Sequence, residues 1–337
     1  MDNRLELYHQ LVRDQDTISA ISEMNKLRRI YPLDFKILIH WFELALSLKN
    51  NKVVLSYAEE LKKHKLNSSA EICLIEFERQ AFFQSRNYEK AFDLLIKQIK
   101  KVGEDENNIF LEINKTKKID RDKALRLMIE LLSNMAEINI PITVQGGTLL
   151  GLIRENNILE HDKDLDFCVD IKNLKKVIDY MDKVKMRRSY KDDVFNNFAT
   201  YLDPKTGITI DIMGLRFNNN NVIGGYFESN GNKEWSRELL YPNHKLVKER
   251  IFEKEIYMPS NPEMILQSEY GDWKTPNTNW ITFLDAPNLI SNTKLNTYYI
   301  LIHLLNFKIR NEFEKIERIR RELKILGMPT HLINEIC

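Results

Sequence analysis

The chain has 337 residues, 43% of them hydrophobic, with 50 Lys and Arg against 49 Asp and Glu for a formal net charge of +1. That length accommodates two domains, and the composition is that of an ordinary globular protein. Near-neutral charge argues against a dedicated nucleic-acid binder, and the three scattered cysteines (Cys73, Cys168, Cys337) supply neither a disulfide framework nor a zinc cluster. The opening residues, Met1-Asp2-Asn3-Arg4-Leu5-Glu6, contain no apolar signal region, and no stretch approaches membrane-spanning length. The expectation is a reduced cytoplasmic setting, with any association with the inner face of the membrane made through partners.

Residues 1–118 read as an all-α region. Glycine is scarce, Pro32 stands alone, and apolar residues recur at helical spacing: Leu38, Trp41, Phe42, Ala45 and Leu46, then Val54, Tyr57, Ala58 and Leu61. A similar series runs from Ile72 to Ile99. The segments opening at Asn51-Lys52 and at Asn87-Tyr88 resemble second helices of tetratricopeptide hairpins, at a spacing close to that repeat. A helical-hairpin array is expected, with a plain helical bundle as the alternative. An array of this kind presents a concave surface to a protein partner or a glycan. A polar and basic break at residues 103–118 marks the boundary.

Residues 119–290 carry the chemistry. Asp120 is a candidate N-cap for a helix to about Ile138, and Ile142-Thr143-Val144-Gln145 reads as a strand. That strand feeds Gly146-Gly147-Thr148, a glycine turn opening a short helix. Glycine lets backbone N–H groups approach a phosphate, and a helix start adds partial positive charge. A second strand then carries Asp164-Leu165-Asp166. Alternate residues on a strand face the same way, so the two carboxylates project together, and a divalent cation relieves their repulsion. Phosphate cradle and metal carboxylates together equip a chain for phosphoryl or nucleotidyl chemistry. A later apolar strand, Gly207 to Met213, holds the single charge of Asp211, which is costly to bury unless paired or bound to metal. Arg154 has two readings, a phosphate clamp or a partner for Glu155, Glu160 or Asp162. Thr148 either donates to phosphate or caps its helix. Lys163 is a solvated residue or a substrate contact. Tyr270, Trp273 and Trp280 either wall a pocket or pack ordinarily.

The run GGTLLGLIRENNILEHDKDLDF resembles the signature of the LicD/fukutin-type phosphotransferases, a branch of the nucleotidyltransferase superfamily. Their pattern is a Gly-Thr-Leu-Leu-Gly run, an arginine and an aspartate-rich segment, which ends here in Asp164-Leu165-Asp166. His161 stands where the family often has tryptophan, and Lys163 interrupts its usual triple aspartate. The segment Tyr270-Gly271-Asp272-Trp273-Lys274-Thr275-Pro276 is similar to a family element that follows the core. The resemblance implies an α+β fold, a nucleotidyltransferase-type mixed sheet with helices, preceded here by the all-α, tetratricopeptide-like region. It implies that Asp211 joins Asp164 and Asp166 in holding Mg²⁺, with Mn²⁺ as the alternative. Gly146, Gly147, Thr148, Arg154, Lys163, Tyr270 and Trp273 are then the candidate substrate contacts.

By the same resemblance the donor is a CDP-activated alcohol, such as CDP-choline or a CDP-alditol. The acceptor is a hydroxyl of a cell-surface glycan of capsule, lipopolysaccharide or teichoic-acid type. No nucleic-acid partner is expected. A nucleotidyl transfer from a nucleoside triphosphate is the rival reaction, and a helical-repeat scaffold with an inactive catalytic domain is the rival class. From about Thr293 the chain reads as helical again, so residues 291–337 are expected to pack as C-terminal helices on the catalytic domain.

Overall fold

The structure is a computed structural model of the 337-residue chain, and residues 3–13, 16–104, 119–189 and 193–337 are described. They fall into two units, one made of the chain up to residue 115 together with Ile300–Cys337, the other of residues 116–299. The expected boundary at residues 103–118 lies almost wholly outside the described residues.

The first unit is helical: α1 (Asn3–Arg13), α2 (Thr17–Ile30), α3 (Phe35–Ser47), α4 (Asn51–Leu61), α5 (Ser68–Gln84) and α6 (Tyr88–Glu104). Helix starts follow local chemistry, with Asp16, Asp34 and Asn67 each accepting a backbone N–H from the first turn of the helix that follows. Apolar stripes bury Val54, Ala58, Ile72, Ala81, Ala91, Leu95 and Ile99, all essentially inaccessible to solvent. The chain from Ile300 joins this unit. It comprises the end of α12 (Lys294–Arg310), α13 (Phe313–Ile325) and α14 (Thr330–Ile336), and α14 packs on α6, where Lys100 pairs with Glu335. The sequence-based expectation for residues 291–337 is packing on the catalytic domain. The apolar positions Ile333 and Ile336 are instead fully buried within the helical unit.

The second unit begins with α7 (Arg121–Glu137), whose N-cap Asp120 accepts from Lys123 N–H and whose buried stripe runs through Ala124, Met128, Leu132 and Met135. The strands are β1 (Ile142–Val144), β2 (Asp164–Asp170), β3 (Arg187–Ser189), β4 (Phe198–Leu202), β5 (Thr209–Phe217), β6 (Asn221–Tyr226) and β7 (Arg237–Pro242). They form one seven-stranded sheet with the order β1-β2-β5-β4-β3, and β6 links β5 to β7. β2 and β5 are parallel, and the other pairs are antiparallel. A parallel pair needs a crossover. Here it is made by α9 (Leu174–Lys183) with β3 and β4. The sheet is mixed and the class is α+β, as expected from sequence.

Along β2 and β5 burial alternates. Leu165, Phe167, Ile210 and Ile212 are buried on one face, while Asp164, Asp166, Asp211 and Met213 lie half-buried on the other. A two-stranded hairpin, β8 (Leu246–Ile251) and β9 (Lys254–Pro259), is followed by α10 (Pro262–Tyr270) and α11 (Thr282–Asp285). Tyr241-Pro242 ends β7: Pro242 pairs with Asn221 at the strand end, a position that tolerates a missing N–H.

Candidate active site

The site is built on the half-buried face of the sheet. Asp166 on β2 and Asp211 on β5 are direct partners in the parallel register, and Asp211 is in turn the partner of Thr200 on β4. Strand spacing puts adjacent members of that row about 4.8 Å apart at Cα. Thr200 donates its hydroxyl to Asp211 Oδ1 at 2.7 Å. One carboxylate oxygen of Asp211 is therefore fixed from the β4 side.

On the β2 side stands the glycine turn. The helix α8 (Gly146–Glu155) starts at the first glycine, with Gln145 as N-cap. Gly146 has φ +57°, and a Cβ there would lie 2.9 Å from Asp166 Oδ2. A Cβ on Gly147 would lie 2.9 Å from Asp162 Oδ1. The two glycines thus let the helix start close against two carboxylates, a contact that any side chain would obstruct. Thr148 is fully buried, and its Oγ1 accepts the N–H of Asp166 at 2.8 Å. That bond fastens β2 to the helix, whose N-cap position is held by Gln145.

Arg154 pairs with Glu155 at 3.2 Å and donates to the carbonyl of Trp273 at 3.3 Å. That matches the loop-holding alternative and ties α8 to the segment after α10. Trp273 is 7% exposed and packs in the hydrophobic core. Tyr270 is half-buried against Trp280, with ring centroids 5.0 Å apart. Burial, reinforced by Glu269 and Asp166, holds its phenol well above the ordinary value. Lys163 is exposed, and its charge favours the ionised form of Asp164.

Two acidic residues outside the expected set belong to the cluster. Asp162 lies against Gly147, and burial together with the neighbouring Asp164 raises its carboxyl to about 7. Its alternation with Asp164 and Asp166 was visible in the sequence. Glu269, on α10, is raised to about 7 by burial, opposed by the Arg237 charge and a hydrogen bond from Tyr241. Tyr241 also receives Gln145 Nε2 at 2.7 Å, and the Gln145 backbone N–H donates to Asp166 O at 3.0 Å. Nothing in the local sequence places Glu269, Tyr241 and Gln145 together.

Burial raises Asp164 and Asp166 as well. For Asp166 the neighbouring charges of Asp164, Asp211, Asp162 and Glu269 add to the effect. Among the described residues no three His, Cys, Asp or Glu side chains converge tightly enough to enclose an ion as they stand. The donor chemistry nonetheless fits a hard divalent cation: the donors are carboxylate oxygens on adjacent strands, mutually repelling, and Asp162 Oδ2 is buried without a hydrogen-bond partner. The three cysteines are unpaired, and among the described residues no helix is long and apolar enough to cross a membrane.

Residues 139–261 match the family profile of the LicD/FKTN/FKRP nucleotidyltransferase domain. The chain is 19% identical over 187 residues to the ribitol-5-phosphate transferase FKTN of Homo sapiens, and 20% identical over 187 residues to that of Macaca fascicularis. Each match covers 54% of this chain and 40% of the relative, so the chain spans under half the length of those curated relatives. Among solved structures, the lincomycin-bound lincosamide antibiotic adenylyltransferase LnuA aligns at 14% identity and a TM-score of 0.32, over 44% of this chain and 86% of that one. The glycine turn, the paired aspartates and the mixed sheet all lie within or beside the matched segment, so over residues 139–261 the chain is similar to the LicD/FKTN/FKRP nucleotidyltransferase domain.

Proposed function

We propose that this protein is a metal-dependent phosphotransferase that moves a phospho-alcohol from a CDP-activated donor to a hydroxyl of a cell-surface glycan. The observation that carries this reading is the direct register of Asp166 with Asp211, with Asp164 on the same strand face and Gly146 pressed against Asp166. Asp164, Asp166 and Asp211 are the proposed ligands of Mg²⁺, with Asp162 beside them. A bound divalent cation would neutralise the charge of the donor's diphosphate and of the acids around it. The chain's own residues do the rest. The N-terminal N–H groups of α8 orient a phosphate at Gly146 and Gly147. Thr148 and Gln145 hold the Asp166 backbone in place, and Thr200 aims Asp211. A carboxylate of this set accepts the proton of the attacking hydroxyl.

The helical unit, read as a tetratricopeptide-like array, would present the glycan or a protein partner to the enzyme. Unpaired cysteines suit the reducing cytoplasm, where CDP-linked donors would be used at the inner membrane face.

The test is product analysis. The purified protein, with Mg²⁺ and CDP-ribitol, CDP-glycerol or CDP-choline, should release CMP, and EDTA should stop it. Pyrophosphate release from a nucleoside triphosphate, with no CMP from any of these donors, would replace this reading by nucleotidyl transfer.

A further inference from the structure

The segment that enters the glycine turn carries two buried polar side chains with no assigned work. Thr143 on β1 is the register partner of Cys168 on β2, and the next extended residue on that face, Gln145, donates its backbone N–H to Asp166 O. Leu215 lies four residues past Asp211 and so shares its face of β5. A cavity of about 10 Å³, the room that one water needs, is lined by Thr143, Gln145, Cys168, Leu215 and Tyr241. Two oxygens of these lining residues, Thr143 Oγ1 and Gln145 Oε1, are buried and have no hydrogen-bond partner among the described residues. Thr143 is 1% exposed and Gln145 7%. Buried hydroxyl and amide oxygens are rarely left unpaired, and ordered water is a common partner.

The Gln145 amide is already fixed at its other end. Its Nε2 donates to the Tyr241 hydroxyl oxygen at 2.7 Å, and Tyr241 donates its one proton to Glu269. The opposite amide orientation would set Oε1 against an oxygen with no proton to give, so Oε1 is the atom left for the cavity.

We propose that this cavity is a binding site for one ordered water, which accepts from the Thr143 hydroxyl, donates to Gln145 Oε1 and so positions the glycine turn. Reach permits it. Residues two apart on extended backbone are about 7 Å apart at Cα, and one water joins oxygens up to about 5.6 Å apart. Chemistry selects water, because the site asks one ligand to accept and to donate. A hard cation offers no lone pair to a hydroxyl proton and needs more oxygens than a wall completed by Val144, Leu149 and Ile265 supplies. The consequence passes through Gln145. Its carbonyl accepts the Leu149 N–H at 3.1 Å as N-cap of α8, and Gly146 follows it directly. A Gln145 side chain held by Tyr241 on one side and water on the other sets the direction in which Gly146 turns towards Asp166. The effect on phosphate binding rests on the phosphotransfer reading above, whereas the water itself does not.

A high-resolution crystal structure of the full chain should show a water within about 3.2 Å of both Thr143 Oγ1 and Gln145 Oε1. Thr143→Val keeps the shape and removes the hydroxyl. With the water in place it should lower the melting temperature by about 2–4 °C, whereas in a dry cavity it would remove an unpaired hydroxyl and raise it. Calorimetric titration with pyrophosphate and Mg²⁺ should show an affinity about three- to fivefold weaker in Thr143→Val and restored in Thr143→Ser. Empty density, a direct Thr143–Gln145 hydrogen bond, or a valine variant that melts at or above wild type overturns the water site. Unchanged pyrophosphate affinity in the valine variant, or no binding by wild type, overturns the positioning role. Absence of CMP release from every CDP donor would sink the reaction reading alone, because none of these measurements uses turnover.

Discussion

Asp166 and Asp211 occupy facing positions on two parallel strands, and each has a separate anchor. Thr148 Oγ1 receives the backbone N–H of Asp166, and the Thr200 hydroxyl fixes Asp211 Oδ1. Two carboxylates held this close repel each other, so function and stability should pull in opposite directions here. Asp166→Asn and Asp211→Asn should each lower transferase activity about a hundredfold or more. In metal-free buffer the same changes should raise stability by about 1–2 kcal/mol. Activity assays and thermal melts with EDTA check both halves, and a variant that loses stability would mark its aspartate as a structural ion-pair member.

Divalent ions should stabilise the wild-type fold. A ligand at a hundred times its dissociation constant adds about 2.7 kcal/mol. Melting temperature should therefore climb with Mg²⁺ or Mn²⁺, and the double variant Asp164→Asn/Asp166→Asn should show almost none of this rise. An equal rise in both proteins would place the ion elsewhere.

Thr148→Val keeps the shape of the side chain and removes the oxygen that accepts from Asp166 N–H. Leaving that buried donor unpaired should cost about 1–3 kcal/mol. Thr148→Ser should recover most of it. Urea unfolding distinguishes them, and a silent valine variant would mean that water replaces the hydroxyl.

Glu269 predicts a pH dependence. Burial moves its carboxyl from an ordinary 4.5 to about 7. Between those values the folded chain retains a proton that the unfolded chain has released. This contribution to stability is fully present below about 4.5 and is lost as pH rises through about 7. The total is on the order of 3 kcal/mol. Asp162, also raised to about 7, acts with the same sign. Melting temperatures of the metal-free protein should fall across this window. Glu269→Gln should flatten the slope, and an unchanged profile would remove Glu269 from the linkage.

What could be read without coordinates was local. Alternation placed Asp164 and Asp166 on one strand face, Asp120 marked the start of α7, and Gly146-Gly147 marked a helix start beside a strand. These follow from side-chain period, capping and backbone freedom, which a few neighbouring residues determine. The β8–β9 hairpin lacks a sequence signal for a local reason too. Its turn residues, Phe252 and Glu253, both adopt positive φ (45° and 64°) without the Asn-Gly pair that usually signals such a turn. Tertiary structure alone decided that Thr148 supports Asp166, that Glu269 and Tyr241 sit behind it, and that Tyr226, Phe283 and Tyr299 stack together. It also decided that the helices beyond Ile300 close on α6. Each of these joins residues far apart in the chain. Such pairings depend on crossover and register, which no short window of sequence encodes.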